Sequence, residues 1–296
     1  MLTRGTFAFI EYGGGALKVE RAELAGERGF RAFLPFSENE ALDDREGAAE
    51  QVGRAVEELR NREVAVILPP KNAPMDKTDG RVSVATGALL FPFFIADCCR
   101  LAYRKTRGSR DISHITALIA AGPLKLTELA VNCLAGDVKA LNVAATEELY
   151  KLDEMAENLL YDYGVTLTAM EAGKNAYASA DLIINIKNNA DRYEHVYKEK
   201  AVLADISGNE ARLWDIARRR PDITAFDGVR LKLKVGAEDC RMNLPVLELF
   251  MFVKSPAYRK LAESAAYDHQ SAAQVSKLLE RYGVKPVAIC RNNKTI

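Results

Sequence analysis

Residues 114–226 alternate short, apolar, β-branched runs with longer amphipathic ones, and this feature narrows the accessible folds most. The apolar runs are 115–121 (ITALIAA), 139–145 (KALNVAA), 165–170 (VTLTAM), 181–186 (DLIINI), 201–206 (AVLADI) and the start of another at 223–226. Strands become this uniformly apolar when helices cover a parallel sheet on both faces. Segments with helical spacing lie between them, at 124–135, 146–163, 175–179 and 209–219. Thr146, followed by Glu147 and Glu148, suits the start of one helix, and Gly164 suits its end. Asn209 suits the cap of another, which stops before Pro221. The pattern predicts an α/β domain with a doubly wound parallel sheet.

The flanks predict less regular additions. The first third reads as a smaller α/β lobe. It has strands at 6–12 and near 17–21 around Gly13-Gly14-Gly15, a helix at 48–59 and a buried strand at 64–68 stopped by Pro69-Pro70. An apolar helix is expected at 86–103. Residues 244–282 read as mostly helical, with a short closing strand at 286–290. The expected organisation is an N-terminal α/β lobe at 1–108, the doubly wound domain at 109–240, and C-terminal helices at 241–296 returning to the first lobe. The segment 244–253 (LPVLELFMFV) either buries in the core or forms the seam of a homodimer.

Charge and cysteine content exclude several classes. Lys plus Arg and Asp plus Glu are 41 each, so no net field holds a phosphate backbone or an anionic membrane. The basic runs 100–110 and 218–220 read as solvated helix ends. Neither a nucleic-acid nor a membrane partner is expected. No apolar run approaches the roughly 20 residues of a membrane span, and no signal-like segment opens the chain. The five cysteines (Cys98, Cys99, Cys133, Cys240 and Cys290) include no CxxC pair, which suits reduced thiols in the cytoplasm. His114, His195 and His269 lack metal-ligand spacing, so no metal site is expected.

Ligands of an open parallel sheet bind at the carboxyl ends of its strands, at the switch in strand order. The first such end reads Ala120-Ala121-Gly122-Pro123-Leu124-Lys125-Leu126. It has one glycine where the dinucleotide fingerprint has three, and it reads equally well as an ordinary strand-to-helix turn. The second strand ends in Ala144-Ala145-Thr146, with neither an acidic residue for a ribose hydroxyl nor a base for a 2′-phosphate. Lys71 and Asp79 lie in the loop after the 64–68 strand. A lysine and an aspartate brought together can hold a substrate hydroxyl and move its proton. The competing reading is a surface loop turned by Asp79-Gly80. Asp205 closes an apolar strand and needs a partner if buried; it also suits a cap for the next helix.

The order of elements resembles the two-lobed amino-acid-dehydrogenase-like group with Rossmann-like domains, which includes shikimate dehydrogenase, methylene-tetrahydrofolate dehydrogenase and glutamyl-tRNA reductase. The resemblance is clearest in Ala180-Asp181-Leu182-Ile183-Ile184-Asn185 and Lys200-Ala201-Val202-Leu203-Ala204-Asp205-Ile206-Ser207. Pro69-Pro70-Lys71 and Thr78-Asp79-Gly80 loosely resemble the lysine loop and Thr-Asp-Gly segment of shikimate dehydrogenase. The resemblance implies NAD or NADP as cofactor and a small-molecule substrate in a cleft between lobes. It places the nicotinamide near Asn185 and gives proton chemistry to Lys71 and Asp79. Gly122, Thr146 and Asn185 are the expected cofactor contacts. The departure at Gly122-Pro123-Leu124 falls on the cofactor loop.

Three functions compete on this reading. The first is an NAD(P)-dependent oxidoreductase of the shikimate dehydrogenase-like type. The second is a non-catalytic scaffold with a degenerate nucleotide site, used for binding or regulation. The third is a methyltransferase-like enzyme, whose sheet would carry an antiparallel last strand.

Overall fold

The structure is a computed structural model and describes residues 6–75, 82–145, 152–186, 193–207, 210–235, 238–292 and 294–296. The chain divides into two compact units, residues 1–87 with 245–262 and residues 88–244 with 263–296. The first division therefore falls at Gly87 rather than at 108, because the helix expected at 86–103 belongs to the second unit.

Unit 1 opens with β1 (Thr6–Tyr12), β2 (Lys18–Leu24) and β3 (Glu27–Leu34). Ala25 and Gly26, both at positive φ, join β2 to β3 as a two-residue hairpin turn. That turn usually announces itself as Asn-Gly; alanine in the first place hides it, and β3 was not expected. Helices α1 (Glu38–Asp43) and α2 (Arg45–Arg60) follow. Ser37 and Glu40 form a capping box on α1. In α2, Ala48, Val52, Ala55, Val56 and Leu59 recur at helical spacing and are buried. Val52, Ala55, Val56 and Leu59 pack with Ala8, Ile10, Leu34 and Ile67 in one core. β4 (Val64–Leu68) and β5 (Ser83–Val84) complete a sheet of order β2-β3-β1-β4-β5.

Unit 2 begins with a 3-10 turn at Phe91–Phe94 and α3 (Ile95–Arg107). The apolar helix is thus shorter than expected, since Gly87 has φ +81 and Pro92 opens the 3-10 turn. The alternating core follows: β6 (Thr116–Ala120), α4 (Leu124–Leu134), β7 (Ala140–Ala145), α5 (Asp153–Tyr163), β8 (Thr166–Glu171), α6 (Lys174–Ser179) and β9 (Leu182–Asn185). β10 (Val202–Asp205), α7 (Glu210–Arg219) and β11 (Thr224–Phe226) close it. These strands form one parallel sheet of order β11-β10-β9-β6-β7-β8. Numbered within the domain, that order is 3-2-1-4-5-6, the doubly wound arrangement. β11 runs parallel to β10, so the antiparallel last strand of a methyltransferase-like sheet is not seen among the described residues.

The chain then forms β12 (Gly228–Val235) and β13 (Glu238–Asn243), an antiparallel pair the sequence reading left out. It returns to unit 1 as α8 (Leu244–Lys254) and α9 (Pro256–Glu263). Leu247, Leu249, Phe250 and Met251 are buried within the chain, so α8 is core and not a seam for a second copy. Arg259 donates to the carbonyls of Phe252 and Val253 and caps α8. Finally α10 (His269–Arg281), β14 (Lys285–Arg291) and β15 (Lys294–Thr295) rejoin unit 2, where β13-β12-β14-β15 form a second sheet. Only 245–262 of the expected 241–296 segment belongs with the first unit.

Candidate functional site

The strand order of unit 2 reverses between β6 and β9, and their carboxyl ends meet there. Ala120 pairs with Asn185 in register, and the Ile186 N–H donates to the Ala120 carbonyl at 3.1 Å. The turn into α4 leaves from the same point. A Cβ on Gly122 would lie 2.5 Å from Ile186 Cγ2 and 3.2 Å from Ile186 Cβ, so only glycine fits against the end of β9. This is the close helix–strand packing that one glycine of the dinucleotide fingerprint provides.

The turn's own donors are engaged. The Ala121 N–H donates to the Ala144 carbonyl at 2.9 Å, and the Gly122 N–H donates to Thr127 Oγ1 at 3.2 Å. The buried Thr127 hydroxyl in turn donates to the Pro123 carbonyl at 3.2 Å. Pro123 stands at the cap of α4 with no side-chain hydrogen bond, so the dipole of α4 faces the turn without a capping oxygen. Lys125, in the first turn, donates to the Ser264 carbonyl at 2.7 Å, and partial burial lowers its pKa.

Beside the switch point, β9 and β10 end in step on Asn185 and Asp205. Both are buried, 1% and 3% exposed. Asn185 Nδ2 donates to Asp205 Oδ1 at 3.0 Å, and the Ser207 N–H donates to the same oxygen at 2.9 Å. Burial raises the Asp205 pKa, opposed by Ser207, Asn185 and the charge of Arg212 on α7. Asn185 Oδ1 is buried and accepts no hydrogen bond. Such an atom costs on the order of 1–3 kcal/mol unless something else meets it. After β9 the chain is anchored at Glu194–Tyr197: Arg220 donates to the carbonyls of Glu194 and Tyr197, and Arg219 pairs with Glu194 at 2.9 Å.

Of the residues expected from sequence, Gly122 and Asn185 come together at the switch point. Thr146 and Asp79 lie outside the described residues. Lys71 is exposed in the turn after β4, in unit 1; Tyr12 donates to its carbonyl at 3.0 Å, and Asn72 beside it has φ +64. The Asn185–Asp205 pair, Thr127 and Ile186 were not singled out together. Two polar residues closing adjacent apolar strands were the available signal. Among the described residues no group of His, Cys, Asp and Glu could hold a metal ion. No helix there is long and apolar enough to cross a membrane.

No protein-family model matches the sequence, and no curated protein matches it. Solved structures do. L-tryptophan dehydrogenase from Nostoc punctiforme is similar over 94% of this chain and 80% of its own, at 11% identity and TM-score 0.39. Shikimate 5-dehydrogenase from Listeria monocytogenes, in complex with shikimate and NAD, is similar over 93% and 97%, at 9% identity and TM-score 0.36. Δ(1)-pyrroline-2-carboxylate reductase from Thermococcus litoralis, in complex with NADH and L-proline, is similar at 13% identity and TM-score 0.30. The match spans 41% of this chain and only 36% of that reductase. The strand order itself defines the class: unit 2 has the doubly wound, Rossmann-like fold on which NAD(P)-dependent oxidoreductases are built.

Proposed function

We propose that the chain is an NAD(P)-dependent oxidoreductase of the shikimate dehydrogenase-like type, acting on a small metabolite in the cytoplasm. The observation that carries this reading is the reversal of strand order between β6 and β9, with Gly122 packed against the end of β9 beside Asn185. The residues present fit the nicotinamide end of the cofactor. Asn185 Oδ1 is a buried acceptor without a partner, and a carboxamide N–H would satisfy it. The bound cofactor supplies hydride transfer. On this reading Gly122 and the N-terminus of α4 would hold its phosphates and Asn185 its nicotinamide, and Thr146, outside the described residues, is proposed for its ribose. Lys71 and Asp79 are assigned to holding the substrate hydroxyl and moving its proton.

A second reading, the non-catalytic scaffold, is favoured by one observation: the N–H groups of Ala121 and Gly122 are already bonded within the protein. A pyrophosphate at this turn relies on the α4 dipole alone or displaces Thr127.

Thermal shift and calorimetry with NAD, NADP and their reduced forms separate the two. At about 100 times its dissociation constant a ligand adds roughly 2.7 kcal/mol of stability. Stabilisation by one nicotinamide dinucleotide, lost in Asn185→Leu, supports the oxidoreductase. No stabilisation by any of them at millimolar concentration refutes it in favour of the scaffold.

A further inference from the structure

Asn185 has an amide with two unlike ends, and the structure engages only one. Nδ2 donates to Asp205 Oδ1, and Oδ1 is left as a buried acceptor. Nothing in an isolated asparagine prefers this over its 180° flip. The preference comes from Asp205, which closes the neighbouring strand in register and, when ionised, can only accept. Asp205 is itself fixed by the Ser207 N–H. We infer that Asp205 is a positioning residue that sets the polarity of Asn185, so that the end of β9 takes a ligand through its N–H or O–H group and rejects a carboxylate.

The inference rests on the dinucleotide reading for the identity of that ligand, which is then a primary carboxamide. Its geometric part concerns only residues of this chain. A carboxylate at this position would bring a second acceptor against Asn185 Oδ1, leaving both unsatisfied. If Asp205 gains a proton it adds one O–H donor to its remaining acceptor, and the polarity of the Asn185 amide is no longer imposed. The charged group facing Asp205 among the described residues is Arg212 on α7; β11, on the other side of β10, presents Thr224, Ala225 and Phe226. Burial raises the Asp205 pKa, which moves this protonation upward from the ordinary carboxyl range.

Two measurements on the full chain test this. The first follows side-chain amide signals of 15N-labelled protein from pH 4 to 8, with the Asn185 pair assigned by its loss in Asn185→Ser. The expected result is a pair of Asn185 signals whose positions change in Asp205→Asn at pH 8, with any pH step of the unmodified protein absent in the variant. Asn185 signals identical in the two folded proteins overturn the inference. The second compares binding of NAD with nicotinic acid adenine dinucleotide, which carries a carboxylate in place of the carboxamide. Unmodified protein should prefer NAD by about tenfold or more, and Asp205→Asn should lose most of that preference. Equal binding of the two by unmodified protein overturns the inference while leaving the oxidoreductase reading intact. Binding of neither removes the oxidoreductase reading, and the amide titration alone then decides the role of Asp205.

Discussion

Gly122→Ala tests whether the switch point is packed as described. The new Cβ falls 2.5 Å from Ile186 Cγ2, 3.2 Å from Ile186 Cβ and 3.3 Å from the Ile186 carbonyl carbon. An ordinary contact needs at least 3.4 Å, so Cγ2 must retreat by nearly an ångström. Rotation alone does not achieve this, because Ile186 is β-branched and its Cβ is also too close. Backbone retreat strains the hydrogen bond from the Ile186 N–H to Ala120. Overpacking of this kind costs about 1–3 kcal/mol. For a unit of this size each kcal/mol lowers Tm by roughly 2–4 °C.

The assay is urea unfolding of four proteins: unmodified, Gly122→Ala, Ile186→Ala and the double variant. Removing the isoleucine γ-carbons relieves the worst contact, so the double variant should fall short of the summed costs by about 0.5–2 kcal/mol. Gly136→Ala is the control, since its Cβ would meet nothing closer than Tyr163 Cδ1 at 3.6 Å. It should be neutral or stabilising by up to about 1 kcal/mol. A Gly122→Ala cost within about 0.5 kcal/mol of zero refutes the packing, as does a cost unchanged in the Ile186→Ala background.

Two other buried features make predictions. Glu248 on α8 accepts from the Gly87 N–H at 2.5 Å and from the Tyr258 hydroxyl, and burial raises its pKa. Its folded pKa lies above the unfolded value of about 4.3, so its contribution favours folding below that pH and fades as pH rises through the raised value. The stability difference between unmodified protein and Glu248→Gln should therefore shift against the unmodified protein from pH 4 to 8; a pH-independent difference counts against the raised pKa. Burial pushes the thiols of Cys98 and Cys99 up and that of Cys133 to about 12. With a thiol reagent at pH 8, Cys98 and Cys99 should stay unlabelled until the protein unfolds, while the partly exposed Cys240 reacts. Fast labelling of Cys98 in the native state contradicts its burial.

Much of the parallel sheet was legible because each strand is a local apolar run with turn residues at both ends. β4 matches its expected range, and β6 to β11 deviate by a residue or two. The hairpin β12–β13 was equally legible: Val229, Leu231 and Leu233 alternate with Arg230, Lys232 and Lys234. Its charged face interrupts the continuous apolar runs that mark the strands of the parallel sheet. β3 was missed for a different reason, an Ala25-Gly26 turn without the usual asparagine.

The site divides along the same line. Gly122 and Asn185 could be named from sequence because each sits at the end of a recognisable strand. That Asn185 pairs with Asp205, twenty residues on, depends on β9 and β10 lying side by side in register. That Gly122 cannot gain a methyl group depends on β9 crossing to pair with β6.

The sequence by itself determined where the strands of the doubly wound unit lie, since apolar periodicity and end signals act over a few residues. Only the tertiary structure decided the strand order, the assignment of 245–262 to the first unit, and which buried polar groups meet. Those depend on which apolar faces pack together across long stretches of chain, and single-residue patterns carry no record of that choice.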